Sequence, residues 1–154
     1  MMLTLNRKKK NHKIWYSGNF STWGKALLKS GGYSDKSILE KVLNSTQEVI
    51  NGNATYEQDS VLFHESQIPS YLISAITLSH NSSLEFYKVL DWGGSLGSLY
   101  FRTRPLWLNH EKNTEWHVVE QDNFVSAAKD SIELGNLFFH RVTPDENFDL
   151  CIFS

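Results

Sequence analysis

The chain has 154 residues, which is enough for about one domain with a buried core. The formal net charge of -2 gives no reason to expect nucleic acid or an acidic substrate as a partner. A single cysteine excludes an intramolecular disulfide and fits a reducing compartment, so we expect a cytoplasmic protein. No apolar run of about 18 residues occurs, so a membrane-spanning helix is not expected.

The beginning of the chain predicts a basic tail over residues 1–14. The run Arg7-Lys8-Lys9-Lys10 has no apolar stretch after it, which is not typical of a secretory signal. We interpret this run as a solvated tail, and contact with a membrane surface or another anionic partner is the alternative.

Residues 15–83 predict a helical N-terminal extension, because good N-caps and glycine stops alternate along it. The polar stretch 53–60 predicts a loop, which the short apolar run 61–63 follows. The predicted helices are 22–29 with Ser21 as its N-cap, a longer one that Ser34 or Asp35 caps and Gly52 ends, and one that begins at Pro69.

The second half of the chain is organised around a glycine-rich turn. A buried strand is predicted over 85–90, ends on Asp91, and is followed by the turn and by a helix-compatible run over 98–104. That helix must bend or stop near Pro105. Strand, glycine turn and helix N-terminus together predict a nucleotide-cofactor site. In such a site the ligand approaches the backbone, and the first helical N–H groups point at its polar atoms.

Two classes of cofactor site use such a turn. The dinucleotide pattern G-x-G-x-x-G, aligned on Gly94 and Gly97, needs glycine where this chain has Trp92. The order found here is Asp91-x-Gly93-Gly94-x-x-Gly97, an acid followed by glycines. It resembles the first motif of S-adenosylmethionine (SAM)-dependent methyltransferases, whose usual third glycine is Ser95 in this chain.

Strands and helices alternate after the turn, which predicts a parallel sheet with helices on both faces. Glu120 ends the next predicted strand, 23 residues beyond Gly97, where an acid can accept hydrogen bonds from ribose hydroxyls. The alternative is that Glu120 only caps or flanks the next helix. The remaining predicted elements are strands over 116–120, 137–139 and 148–153 and a helix over 123–134 that Asp122 can cap.

Histidines and nucleophiles do not form a recognisable catalytic or metal-binding pattern. His110, His117 and His140 have no close partner at a known ligand spacing, so no metal site is expected and His117 is interpreted as structural. No Ser/His/Asp or Cys/His arrangement follows from the spacings either. Ser154 follows the last predicted strand and is interpreted as a frayed terminus; the alternative is that it points into the cofactor site.

Four segments carry a wider resemblance. They are FSTW at 20–23, YEQDSVLF at 56–63, LDWGGSLGS at 90–98 and WHVVEQ at 116–121. From about Trp15 to the last residue, the chain resembles a family of bacterial SAM-dependent methyltransferases often linked to surface-polysaccharide gene clusters.

The resemblance implies an α/β, Rossmann-like class I methyltransferase fold, with residues 84–154 as a partial SAM-binding domain. It implies SAM as the cofactor and a small molecule or glycan as the methyl acceptor. Because methyl transfer needs mainly the alignment of a nucleophile with the methyl group, no catalytic residue is assigned. The residues expected to hold the cofactor are Asp91, Gly93, Gly94, Ser95, Gly97 and Glu120.

Two departures from the family pattern matter. Gln58 stands where the family has arginine, which removes a fixed positive charge and its forked donors. The family sheet continues past the fourth strand, so the chain is interpreted as a truncated copy whose fourth strand is an open edge that favours self-association. The alternatives are a non-catalytic nucleotide-binding or interaction module and, disfavoured by Trp92, an NAD-dependent oxidoreductase.

Overall fold

The computed structural model of the chain describes residues 18–29, 36–80, 86–107 and 113–154. The basic tail 1–14, the cap candidates Ser34 and Asp35, and His110 lie outside the described residues. The chain divides into two units, Met1–Gly32 and Tyr33–Ser154.

The described part of the first unit contains one short helix, α1 (Trp23–Leu27). The residue that caps it is Thr22, which accepts a hydrogen bond from the backbone N–H of Lys25 at 3.3 Å. Ser21, the predicted cap, accepts instead from the Lys25 ammonium at 3.2 Å. The predicted helix is therefore present but begins one residue later and is shorter.

The second unit holds the other helices and all of the described strands. None of the helices in the described part of the chain is both long and apolar enough to cross a membrane. The helices are α2 (Lys36–Ile50), α3 (Ser70–Ser79), α4 (Ser98–Trp107) and α5 (Asp122–Ser131), and the strands are β1 (Tyr56–Gln58), β2 (Val61–Phe63), β3 (Tyr87–Trp92), β4 (Thr114–Val119), β5 (Leu137–His140) and β6 (Leu150–Phe153).

The predicted parallel sheet is confirmed. Its four strands lie in the order β5-β4-β3-β6, and every neighbouring pair is parallel. The chain runs outward from β3 to β4 and β5, then returns to add β6 on the other side of β3. The strand order therefore reverses at β3, and the arrangement is compatible with a Rossmann-like fold.

The buried core lies on one face of this sheet. Val89, Trp116 and Val118 are each fully buried, and residues that alternate with them point to the opposite face. Helices α2 to α5 all contribute side chains to this core, and every residue of the four-stranded sheet within it belongs to this one face.

The sequence predicted helices on both faces, and the second face differs from that prediction. The connection from β5 to β6, residues 141–149, contains no helix. It contacts the second face directly, since Phe148 packs edge-on against His117 with 5.3 Å between ring centroids.

The predicted polar loop at 53–60 contains a strand instead. β1 pairs antiparallel with β2, and the Tyr56 ring stacks on Phe63 at 4.7 Å. The two residues of the hairpin turn, Asp59 and Ser60, have positive φ angles of 50° and 64°. The loop prediction was wrong because it weighed the polar composition above the cross-strand aromatic pair.

Helix α4 ends at Trp107, two residues beyond Pro105, in agreement with the prediction that it bends or stops near that residue. Helix α5 begins one residue earlier than predicted and ends at Ser131 rather than at residue 134. Asp122 is the first residue of α5 rather than its cap, and the N-cap, Gln121, makes no side-chain capping bond. A carboxylate in the first turn still interacts favourably with the helix dipole.

Candidate cofactor site

A cleft of about 950 Å³ opens at the carboxyl ends of β3, β4 and β6. The strand order of the sheet reverses at this point, and open α/β sheets bind ligands in such a crevice. The volume lies at the upper end of the range of about 300–1,000 Å³ that small-molecule sites occupy. The predicted site residues Gly93, Gly94, Ser95 and Glu120 line the cleft.

The glycine turn bends sharply between β3 and α4. Gly93 and Gly97 have φ angles of +82° and +90°, which side chains disfavour. Ser95 adopts a left-handed φ of 55°, in the position where the family motif has its third glycine. The backbone N–H of Gly97 donates to the Gly94 carbonyl at 2.9 Å and closes the turn.

Gly94 is needed for a different reason. A Cβ atom added there would lie 2.5 Å from both Cγ and Oδ2 of Asp91. The missing side chain therefore makes room for a carboxylate of this chain as well as for a ligand.

The Asp91 carboxylate is fully buried under the turn. It accepts hydrogen bonds from Trp116 Nε1 at 3.2 Å and from Ser154 Oγ at 2.7 Å, and its burial raises its pKa. Asp91 does not line the cleft. These contacts join Asp91 to other residues of the protein. The interpretation of Ser154 as a frayed terminus was wrong, because Ser154 is held by this hydrogen bond and by a second one from its backbone N–H to the Trp92 carbonyl at 3.0 Å.

Glu120 joins the end of β4 to the turn. Its carboxylate accepts from the backbone N–H of Ser95 at 3.2 Å and from that of Gln121 at 2.8 Å. Glu120 thus lies beside the glycine turn on the cleft wall, as the 23-residue spacing predicts.

The sequence prediction missed a buried carboxylate that lines the cleft, Glu57. It is 1% exposed, and it accepts a short hydrogen bond from Ser98 Oγ and another from the Ser60 N–H at 3.1 Å. Burial raises the pKa of Glu57. Because Ser98 begins α4, the β1–β2 hairpin brings Glu57 to the helix start beside the turn. The available signal was the aromatic and apolar residues that flank Glu57 in this segment, Tyr56 and residues 61–63.

Arg102 of α4 supplies a cation near Gln58, where the family pattern has arginine. Its guanidinium donates to Gln58 Oε1 at 3.0 Å and to the Gln67 carbonyl at 2.6 Å, and it lies 4.8 Å from the centre of the Tyr56 ring. Arg102 also lines the cleft. Sequence reasoning did not find it, because the contact joins residues 44 positions apart.

Backbone strain is concentrated at this cleft. Among the described residues, only Asp59, Ser60 and Ser95 combine a side chain with a positive φ angle. Asp59 and Ser95 line the cleft, and the Ser60 N–H binds Glu57. Such conformations cost about 1–3 kcal/mol each and cluster at functional sites.

The cleft is lined by charges of both signs, and its carboxylates beside the turn have no basic partner among the described residues. No ion pair within the described ranges joins Glu57, Asp91 or Glu120 to a basic side chain. Two arginines, Arg102 and Arg141, also line the cleft. The carboxylates near the turn are thus satisfied by hydrogen bonds alone, and a ligand with positive charge would find a favourable environment there.

A second polar cluster lies on the sheet face opposite the core. Glu115 and His117 are two residues apart on β4 and share this face, and Glu146 reaches it from segment 141–149. His117 Nδ1 lies 3.0 Å from His140 Nε2. Burial lowers the pKa of His117, and the Lys88 ammonium lowers that of Glu146. Sequence spacing gave no ligand pattern here because the cluster depends on the fold of 141–149.

No model of a known protein family matches the chain, and no curated protein matches it. The resemblance to methyltransferases therefore stays a prediction.

Proposed function

We propose that the protein is a SAM-dependent methyltransferase of the Rossmann-like class I type. The observation that carries this proposal is the glycine turn from Gly93 to Gly97 with Glu120 hydrogen-bonded beside it on the same cleft wall. A glycine turn and a ribose-binding acid at the end of the next strand are the two parts that a nucleotide cofactor needs.

The charge of the cleft favours SAM over a nicotinamide dinucleotide. SAM carries a positive sulfonium and an ammonium group, whereas the pyrophosphate of NAD carries negative charge. Glu57 places a carboxyl group beside the turn where a pyrophosphate would otherwise bind, whereas Glu120 suits the ribose of either cofactor. Trp92 in place of the first dinucleotide glycine points in the same direction.

Different residues of the cleft would bind different parts of the cofactor. Glu120 accepts hydrogen bonds from the ribose, Gly93 lets the backbone approach the cofactor, and Glu57 and Asp91 supply negative potential for its cationic end. Gly97 does not line the cleft, and a side chain there would meet Leu137 of the core, so its role is to shape the turn. When bound, SAM supplies the activated methyl group. The acceptor, a small molecule or a glycan, enters the open part of the cleft near Arg102 and is aligned with the methyl group. We place this activity in the cytoplasm, where the exposed free thiol of Cys151 stays reduced.

Isothermal titration calorimetry with SAM, S-adenosylhomocysteine and NAD tests the proposal. We expect the two adenosyl ligands to bind and NAD not to bind. Glu120→Ala should weaken SAM binding by about 1–3 kcal/mol, the range for hydrogen bonds to a charged acceptor. The matched control is Glu133→Ala, because Glu133 is exposed and lies outside the cleft.

A ribose analogue separates a specific contact from a general charge effect. An adenosyl ligand without the 2′ and 3′ hydroxyls should bind the wild type more weakly than SAM does, and Glu120→Ala should bind both ligands alike. Equal wild-type affinity for the two would refute the role of Glu120. Binding of SAM without methyl transfer to any glycan acceptor would instead favour the alternative of a non-catalytic binding module.

A further inference from the structure

The second polar cluster contains a buried imidazole nitrogen without a hydrogen bond among the described residues. His117 is 6% exposed, and its Nε2 atom has no such partner there. Buried polar atoms are nearly always paired, and a bound ion is one of the explanations for an unpaired one.

The other atoms around this nitrogen are typical metal ligands. Glu115 Oε2 lies 3.6 Å from His117 Nε2, and one ligand atom from each of Glu115, His117 and Glu146 lies within 4.8 Å of the others. Glu146 Oε1 lies 3.7 Å from Nδ1 of the same ring. Ligands bonded to zinc at about 2.0–2.1 Å in a tetrahedron are about 3.4 Å apart. Rotation of the partly exposed Glu146 carboxylate toward Nε2, with a small shift of Glu115, would therefore complete the set around one ion.

His140 has the arrangement of an outer partner. The Nδ1 atom of His117 is 3.0 Å from His140 Nε2, so a hydrogen bond can hold the Nδ1 proton and leave Nε2 with its lone pair. Histidines that bind metals almost always use their second ring nitrogen in this way.

A cation already interacts with the same carboxylates. The Lys88 ammonium lies 2.6 Å from Glu146 Oε2 and 3.2 Å from Glu115 Oε2. The cluster therefore attracts positive charge, and Lys88 is a competitor that a metal ion must displace.

We propose that Glu115, His117 and Glu146 bind a divalent transition-metal ion such as Zn²⁺, with Lys88 competing for the two carboxylates. One imidazole and two carboxylates suit Zn²⁺ better than Mg²⁺ or Ca²⁺, which prefer oxygen ligands alone. The ion would fasten segment 141–149 to β4. Because that segment leads into β6, whose end lines the cleft, the ion would also stabilise one wall of the cofactor site.

Calorimetric titration of the full chain with Zn²⁺ tests this proposal, with thermal unfolding as a second readout. We expect saturable binding of one ion and a higher unfolding temperature in its presence. Lys88→Met should bind Zn²⁺ more tightly because the competing cation is removed. His117→Gln and Glu146→Gln should each weaken binding by about ten-fold or more.

The exposed His64 provides the control for adventitious binding, since His64→Gln should leave Zn²⁺ affinity unchanged. Glu146→Gln keeps the test valid if the buried His117→Gln variant unfolds, because Glu146 lies at the surface. Affinity that Glu146→Gln leaves unchanged, or that Lys88→Met fails to raise, would overturn the proposal.

Discussion

Gly94→Ala tests whether the glycine turn is built around a buried carboxylate. The added methyl group would lie 2.5 Å from Asp91 Cγ, closer than real Cβ contacts allow. Asp91 cannot move away without breaking its bonds to Trp116 and Ser154. A hydrogen bond to a charged group contributes about 1.5–3 kcal/mol, and overpacking a core costs about 1–3 kcal/mol. We expect Gly94→Ala to lower the free energy of unfolding by about 2–4 kcal/mol.

Urea unfolding followed by tryptophan fluorescence measures this change. Gly135→Ala is the matched control, because a Cβ there meets no atom within 4 Å and Gly135 has no positive φ. That variant should be as stable as the wild type or slightly more stable.

A double-mutant cycle identifies the cause of the loss. In an Asp91→Ala background, Gly94→Ala should have little effect on the free energy of unfolding, because the carboxylate with which the added methyl group would clash is absent. If Gly94→Ala lowers the free energy of unfolding equally in both backgrounds, or leaves the wild-type value unchanged, then Gly94 is not needed to make room for the Asp91 carboxylate.

Two further predictions follow from the burial of charge and from the open strand. Burial raises the pKa values of Asp91 and Glu57, so just above the ordinary carboxyl pKa the folded chain holds more protons than the unfolded chain. The free energy of unfolding should therefore fall as pH rises through that range, and urea titrations should show a shallower slope in Asp91→Asn; equal slopes would contradict this. Among the described strands β6 pairs only with β3, and Phe153 is 79% exposed, so we expect the 154-residue polypeptide to self-associate in analytical ultracentrifugation. Phe153→Lys should shift the association equilibrium toward monomer. A wild-type protein that stays monomeric at all concentrations tested would show that β6 does not mediate self-association.

The sequence predicted those features that depend on local pattern. The glycine turn, the strand before it and Glu120 at the end of the next strand are each marked by short-range signals, namely apolar runs, glycines and an acid at a strand end. Parallel pairing followed from the alternation of strands and helices. Among the described strands, β6 lies at an edge of the four-stranded sheet, as was expected of the fourth predicted strand.

Other features depend on contacts that are distant in the chain. Glu57 reaches the cleft only because the β1–β2 hairpin packs against α4, and Arg102 meets Gln58 through the same packing. The cluster at His117 was missed because Glu146 comes from a connection without regular structure. A pattern of apolar and polar residues marks which side of an element is buried, but it does not identify the element that covers it.

The buried carboxylates near the glycine turn, Glu57 on the cleft wall and Asp91 beneath it, lower stability, which fits the binding role proposed above. Glu57 and Asp91 are buried with no paired basic side chain in the described ranges, and a buried charge without a counter-ion is destabilising. Asp59, Ser60 and Ser95 add backbone strain at the same place. An apolar core with glycine at those turn positions would be more stable, so stability alone does not account for this arrangement. A ligand that brings positive charge to the turn accounts for the carboxylates, and its binding should stabilise the fold where the chain is most strained.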